Sequence, residues 1–453
     1  MKNHSRLTAL LLALLLLIGS AACSDRQGEE TTETAGTTAP ETTDIIIEET
    51  TEEVISVVAP PETTEAPETE APKPKETISI IMQDGKGEVI LSALADDNFA
   101  PLLDAREKSL LYEHSAEIEL SKADNLEKTV ENAALSGTGR YDLILTDPLG
   151  GIALLNAGLL ENLAGAGISI TPDRVGINKS ITESLSVGGG VYLFSSVALV
   201  SDISSTYALR YSGEKLSSDP VEKALAGEFT AELMLTYITE AQGTNALALA
   251  NSSPLTLYCG LGGNIFVQNE KGVPTSAITE SSLFKTAYDE ALKLYSAVAE
   301  GGAIFIAEQL GGLAEGQIYL PLPKASRDIE YSSPIDRTAL SVFAAPAGVI
   351  SGSRLCALVD ALNSCSNEYR ETIRKQTYSG TDARAEQTFE IIESHAKLDL
   401  GILFGWGDIC EHVENGLKNN KSADDLLADR ITEMRNKAAE TAASILADKI
   451  GIE

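Results

Sequence analysis

Apolar positions along the chain repeat with two spacings. Short runs that are continuous or alternate predict strands, and recurrence near 3.6 residues predicts helices. The clearest example lies between Gly139 and Leu163. Tyr141 to Thr146 is an apolar run entered from a Gly/Thr turn and ended by Asp147-Pro148, which predicts a buried strand stopping where proline cannot pair. Leu154, Leu155, Leu159 and Leu160 then recur at helical spacing, so the strand feeds a helix across Gly150-Gly151. Ile78 to Met82 predicts another strand, followed by the polar loop Gln83-Asp84-Gly85-Lys86-Gly87 and a helix over 88–94.

Further on, 106–114 and 123–135 predict helices around a short strand at 118–120, and 191–197 and 206–211 predict strands. Strands alternating with helices predict a largely parallel sheet. In such sheets ligands bind beyond the carboxyl ends of the strands, which puts Asp147 at a candidate binding edge. Asp-Pro is equally a common strand-ending turn.

Two segments fall outside this pattern. Residues 1–23 join Lys2 and Arg6 to an apolar stretch, Leu7 to Ile18, and then to Gly19-Ser20-Ala21-Ala22-Cys23. The stretch is short for a permanent span and is followed by small residues, as in a processed export signal. Residues 24–76 are rich in Thr, Glu and Pro and hold 15 acidic residues against Arg26, Lys73 and Lys75, a net of −12. Such a segment is expected to be a disordered tether, with Ile45-Ile46-Ile47 and Val54 to Val58 as apolar patches inside it.

With 453 residues the chain has room for two or three domains, and an apolar fraction of 43% can build their cores. A net charge of −33 argues against nucleic acid and anionic membrane surfaces as partners, because both would repel it. Beyond Cys23 stand Cys259, Cys356, Cys365 and Cys410. Cys356 and Cys365 fall on one predicted helix about 13 Å apart, beyond bridging reach. Scattered histidines and the lack of CxxC spacing leave no zinc motif, so no metal or other cofactor is expected and the thiols read as free. The chain has no GxSxG elbow, phosphate-binding loop or HExxH, so no catalytic residue is assigned. Glu386, Glu390 and Glu393 share a helix face and read as a solvated surface.

The order of motifs resembles the extracellular solute-binding proteins, family 1-like, of bacterial ABC importers. YDLILTDP with AGLLENL, then SLSVGGGVYLF, then TYALRYSGEKL follow the family's sequence of a first-lobe unit and two strands leading to the second lobe. AGEFTAELMLTYITEA, the segment from Gly260 to Ala297, LAEGQIYLPLPKA and TALSVFAAPA continue the likeness. The C-terminal part, DARAEQTFEIIESHAKLDLGILFGWGDI, is similar to a branch from anaerobic Gram-positive bacteria. Together these cover roughly residues 77–450.

The resemblance implies an α/β, two-lobed, periplasmic-binding-protein-like (type 2) fold with hinge strands. Lobe one would take 77–205 and 338–375, and lobe two 206–337 and 376–453. It implies a lipoprotein signal with Cys23 lipidated, although Ser20 stands where an aliphatic residue is commoner; an ordinary signal cut near Ala22 is the competing reading. Anchored at the extracellular face of the cell membrane, a monomer would hand a small polar solute, a sugar or oligosaccharide first and a peptide or other polar solute as the alternative, to ABC permease subunits by lobe closure. Ligand contacts carried over from the family fall on Gln83, Asp84 and Lys86 after the first strand, on Asp147, and on Trp406. Gly405 and Gly407 flank Trp406 and predict an exposed bend there, against the usual core position of tryptophan. Tyr207 and Tyr319 are further choices, with plain packing as the alternative for Tyr207. A tethered sensing protein and an exported hydrolase remain open as other functions.

Overall fold

The structure is a computed structural model that describes residues 75–83, 100–136, 141–165, 167–241, 246–269, 272–279, 281–299, 303–348, 351–378, 382–428 and 430–450. The export signal with Cys23, the tether with its apolar patches, Asp84, Lys86 and the helix expected over 88–94 lie outside the described residues. In chain order the strands are β1 (Glu76–Gln83), β2 (Ala116–Ala123), β3 (Leu143–Thr146), β4 (Tyr207–Tyr211), β5 (Leu247–Leu249), β6 (Phe266–Gln268), β7 (Pro274–Ser276), β8 (Phe305–Gln309), β9 (Ile318–Leu320), β10 (Ser333–Pro334), β11 (Val342–Ala344) and β12 (Ala396–Lys397).

Two four-stranded sheets organise these elements. The first runs β11-β3-β1-β2, with β1 parallel to both β2 and β3 and β11 antiparallel at the edge. The inner strands β1 and β3 are apolar on both faces because helices cover both, whereas the edge strand β2 carries Glu117, Glu119 and Lys122. Ile78, Ile80, Met82, Leu143 and Leu145 face Leu110 and the helix residues Leu355, Leu358 and Leu362. Ile81 and Ile144 face the other way, toward Leu126, Val130, Ile152 and Leu155. The second sheet runs β5-β8-β4-β9, with β5 and β8 parallel and β4 antiparallel to β8 and β9. The expectation of a largely parallel sheet therefore holds for the first sheet, whereas the second is mixed.

The chain passes between these sheets along neighbouring paths. Residues 197–206 lead from the first core into β4, and β10 leads back toward β11. The two paths touch: Thr206 and Ile335 form an antiparallel bridge, and the Asp336 N–H donates to the Ser205 carbonyl at 2.8 Å. A third passage follows the helix Gly352–Tyr378, which at 27 residues is about 40 Å long. Leu355, Val359 and Leu362 near its start belong to the first core. Ile373 and Tyr378 near its end pack against Phe389 and Ile392, under the second sheet.

Several local expectations are corrected. No strand forms over 191–197. Phe194 pairs with Phe343, exchanging both backbone bonds at 2.9 Å, and Ser196 bridges Ile177 instead, while the Val191 carbonyl turns to Leu163 and the Ser195 carbonyl to Asn178. The helix read at 106–114 starts at Ala100, and β2 takes residues as far as Ala123 from the helix read at 123–135. Glu393 is not solvated surface, because Arg370 and Arg374 hold it in a partly buried ion cluster. Cys356 and Cys365 do share one helix, and Cys259, Cys356, Cys365 and Cys410 are free thiols. Among the described residues no helix is long and apolar enough to cross a membrane.

Candidate functional site

The first half of the candidate site lies at the carboxyl ends of β1 and β3. Met82 pairs with Leu145, so the next rung of the parallel ladder sets Gln83 beside Thr146. Asp147 follows at once and caps the helix Pro148–Asn156, its Oδ1 accepting the Gly150 N–H at 2.7 Å. Proline is favoured in the first turn of a helix, where its missing N–H would have no partner anyway. Gly150 is needed there for a second reason, because a side chain at that position would run into the Thr146 hydroxyl.

The second half lies at the carboxyl ends of β5 and β8. Tyr207 opens β4 and pairs in register with Gln309, the last residue of β8. Its hydroxyl donates to the Asn251 carbonyl at 2.7 Å. Asn251, just beyond β5, holds φ at 53°, a left-handed conformation that asparagine tolerates better than most residues. Gln309 Nε2 donates to Asp336 Oδ2 at 2.9 Å, and Asp336 Oδ1 accepts the Thr338 N–H and hydroxyl at 2.8 and 2.7 Å. Burial, reinforced by the Asp336 carboxylate, pushes the Tyr207 phenol up to about 12, so it stays a donor at neutral pH.

A short helix ties the halves together. Arg337 donates to the Ile402 carbonyl within the helix Leu400–Phe404, and this helix packs against the helix that Asp147 caps. Asp399 anchors it from below, half-buried and accepting N–H groups of Ile265 and Gly401 at 2.7 Å each. Burial raises the Asp399 carboxyl and these N–H bonds oppose the shift. The result is a rim of hydroxyl, amide, carboxylate and guanidinium groups near the place where the chain crosses between sheets. Such groups can orient a polar solute by hydrogen bonds. Among the described residues no cluster of three or more metal-ligating side chains occurs.

Of the residues singled out in the sequence, Gln83 and Asp147 share one edge of the first sheet, with Asp147 buried, and Tyr207, at the start of β4, is packed into the core at 9% exposure. Asp84 and Lys86 fall outside the described residues. Tyr319 is 2% exposed in the core between β9 and the helix Ala385–Ser394, accepting the Gly311 N–H at 3.0 Å and donating to Glu308 at 3.3 Å. The exposed bend expected at Trp406 is corrected. Gly405 and Gly407 do adopt positive φ, 62° and 64°, but the turn they make drives the indole inward to 3% exposure. Phe404 stacks on it at 4.4 Å and Phe266 meets it edge-on at 4.8 Å.

Sequence reading missed Asn251, Gln309, Asp336 and Arg337. Asn251 carried a usable signal, since Asn251-Ser252-Ser253-Pro254 ends a strand, and Ser253 caps the next helix. Gln309 and Asp336 carried none, because their meeting depends on strand pairing across distant segments.

No family model matches the chain, and no curated protein matches it. Among solved structures, an extracellular solute-binding protein family 1 from Alicyclobacillus acidocaldarius is similar at 13% identity over 81% of this chain and 99% of its own, with a TM-score of 0.48. The GacH receptor of Streptomyces glaucescens, solved alone and with acarbose, matches at 15% identity over 82% and 99%, TM-score 0.44. RafE from Streptococcus pneumoniae matches at 11% identity over 83% and 99%, TM-score 0.45.

Proposed function

We propose that the chain is the solute-binding subunit of an ABC importer, holding a small polar solute between two lobes and passing it to a permease. The observation that carries this reading is the bridge between Thr206 and Ile335. It puts two of the chain's passages between the sheets side by side, the arrangement a hinge requires, with Tyr207, Gln309 and Asp336 directly beside it. The lobes are assigned to 77–205 with 338–375 and 206–337 with 376–453. The solute class is a sugar or oligosaccharide, for which amide, carboxylate and hydroxyl groups supply both donors and acceptors. Gln83, Asp84, Lys86 and Asp147 would contact it from lobe one, and Tyr207, Asn251, Gln309, Asp336 and Arg337 from lobe two. Tyr319 and Trp406 support the second lobe from inside. Cys23 carries the lipid that holds the protein at the outer face of the membrane.

The test is a thermal-shift screen of the chain from Ser24 onward against sugars, polyols and short peptides, with acarbose among the first probes. A compound that binds the native state alone, present at 100 times its Kd, adds about 2.7 kcal/mol of stability and raises Tm. A sugar hit whose affinity falls in Gln309→Ala and Asp336→Ala supports the reading. A screen in which only peptides shift Tm overturns the sugar assignment, and one in which nothing does overturns the binding role.

A further inference from the structure

Apart from the candidate binding residues, the same crossing holds a cluster of partly buried charges that the binding role does not use. Asp202, 3% exposed, sits on the segment that enters β4. Arg370 grips it with two hydrogen bonds of 2.9 and 2.8 Å and also donates to the Leu199 carbonyl at 2.7 Å. Asn178 adds a donor to Asp202 at 2.9 Å. On its other side Arg370 reaches Glu393 of the helix Ala385–Ser394 at 3.1 Å, and Arg374 meets the same carboxylate at 2.7 Å. Arg374 also donates to Glu371 at 2.7 Å.

The placement of these groups is specific. Arg370 and Arg374 occupy the last turns of the 27-residue helix, whose start is built into the first core and whose end packs through Ile373 and Tyr378 on Phe389 and Ile392. Glu393 rides on a helix whose Phe389 and Ile392 are built into the second. Asp202 lies on one of the passages between the sheets. One guanidinium thus bonds the first core's helix to the connecting segment and to the second core's helix at once. Beside it runs an open groove of about 620 Å³, lined by Arg370, Arg374 and Glu393. A buried ion pair is a weak source of net stability but a strong constraint on geometry, since parting the partners strands a charge.

We propose that Arg370, Arg374 and Glu393 form a clasp that fixes the angle between the two cores in the ligand-free chain. Arg370 stays with Asp202 while the contact to Glu393 is exchanged as the cores rotate. This rests on the two-lobed reading, but its test needs no solute. Nitroxides are placed through keto-amino acids at Tyr112, 81% exposed, and Leu283, 47% exposed, which leaves the cysteines untouched. Pulsed dipolar spectroscopy on the ligand-free chain then reports the distance between the two cores. The native chain is expected to give one narrow distribution, and Glu393→Gln and Arg370→Met to broaden it or add a second population. Arg174→Met, which breaks the Arg174–Asp360 pair between a loop and the first core's helix, is the control and should keep the native width.

If Arg370→Met fails to fold, Glu393→Gln decides, because its amide keeps the shape and loses only the charge. A native width in Glu393→Gln overturns the clasp. So does equal broadening in Arg174→Met, which would make the effect a general loss of ion pairs. The proposed function fails separately, through the solute screen.

Discussion

The Tyr207 hydroxyl and the Asn251 carbonyl meet at 2.7 Å, joining the start of β4 to the turn after β5. This bond lets Asn251 keep its left-handed backbone while its carbonyl faces a partner other than water. Removing the donor in Tyr207→Phe leaves that carbonyl unpaired and should cost about 1–3 kcal/mol. Asn251→Gly should be nearly neutral and Asn251→Ala should cost about 1–2 kcal/mol, as a left-handed residue with a Cβ does. Urea unfolding of the three variants checks the order. An Asn251→Ala chain as stable as the native one would refute the strained turn.

Asp147 is a helix cap whatever else it does. Asp147→Ala should cost about 1 kcal/mol, whereas Asp147→Asn keeps a side-chain acceptor and should cost little. The pair of variants separates capping from recognition. If Asp147→Asn retains Tm but weakens binding of a hit from the solute screen about tenfold, roughly 1.4 kcal/mol, the carboxylate touches the solute. Unchanged affinity in Asp147→Asn assigns it to the helix alone.

How much of this was readable in advance depended on how local each signal was. Strand β3 and its helix were plain because the change from a continuous apolar run to helical spacing, with Asp147-Pro148 between, lies within some twenty residues. The segment 191–197 has the same apolar character, yet its neighbours Leu163, Asn178 and Phe343 draw its backbone bonds in different directions. Glu393 shows the same limit. Helical spacing grouped it with Glu386 and Glu390, and only the docking of Arg370 and Arg374 from a preceding helix takes it out of solvent. Gln309 and Asp336 are neighbours because β8 and the return path happen to end together, a long-range fact without a local motif.

The Arg384 guanidinium holds the Asp382 carboxyl below its usual range, chiefly through their side-chain hydrogen bond, with Arg384 also reaching Asp219 at 2.6 Å. A carboxyl lowered on folding adds stability that is present above its unfolded value, near 3.9, and is lost as pH falls through the folded value. The Tm difference between the native chain and Asp382→Asn should therefore be largest near neutral pH and shrink below about pH 4. A difference that persists unchanged in acid would show that the carboxylate contributes nothing through its charge.

Trp406 is the one tryptophan in the chain, so emission excited selectively at tryptophan, beyond tyrosine absorption, reports on it alone. Its burial between Phe404 and Phe266 predicts blue-shifted emission and weak quenching by acrylamide. Among the described residues its ring nitrogen has no hydrogen-bond acceptor, so Trp406→Phe gives up packing volume without stranding a partner and should cost less than Trp406→Ala, for which about 3–5 kcal/mol is expected. The same geometry sets what a bound solute can do. With one ring face stacked against Phe404 and only 3% of the residue exposed, a sugar cannot lie on the indole unless the groups around it move. Phe404→Ala uncovers that face, so it should increase acrylamide quenching in the ligand-free chain. Binding of a screened sugar should then change the emission more in Phe404→Ala than in the native protein. Strong quenching of native Trp406 by the sugar itself would instead show direct stacking on the indole, and would mean that Phe404 swings away when the solute binds.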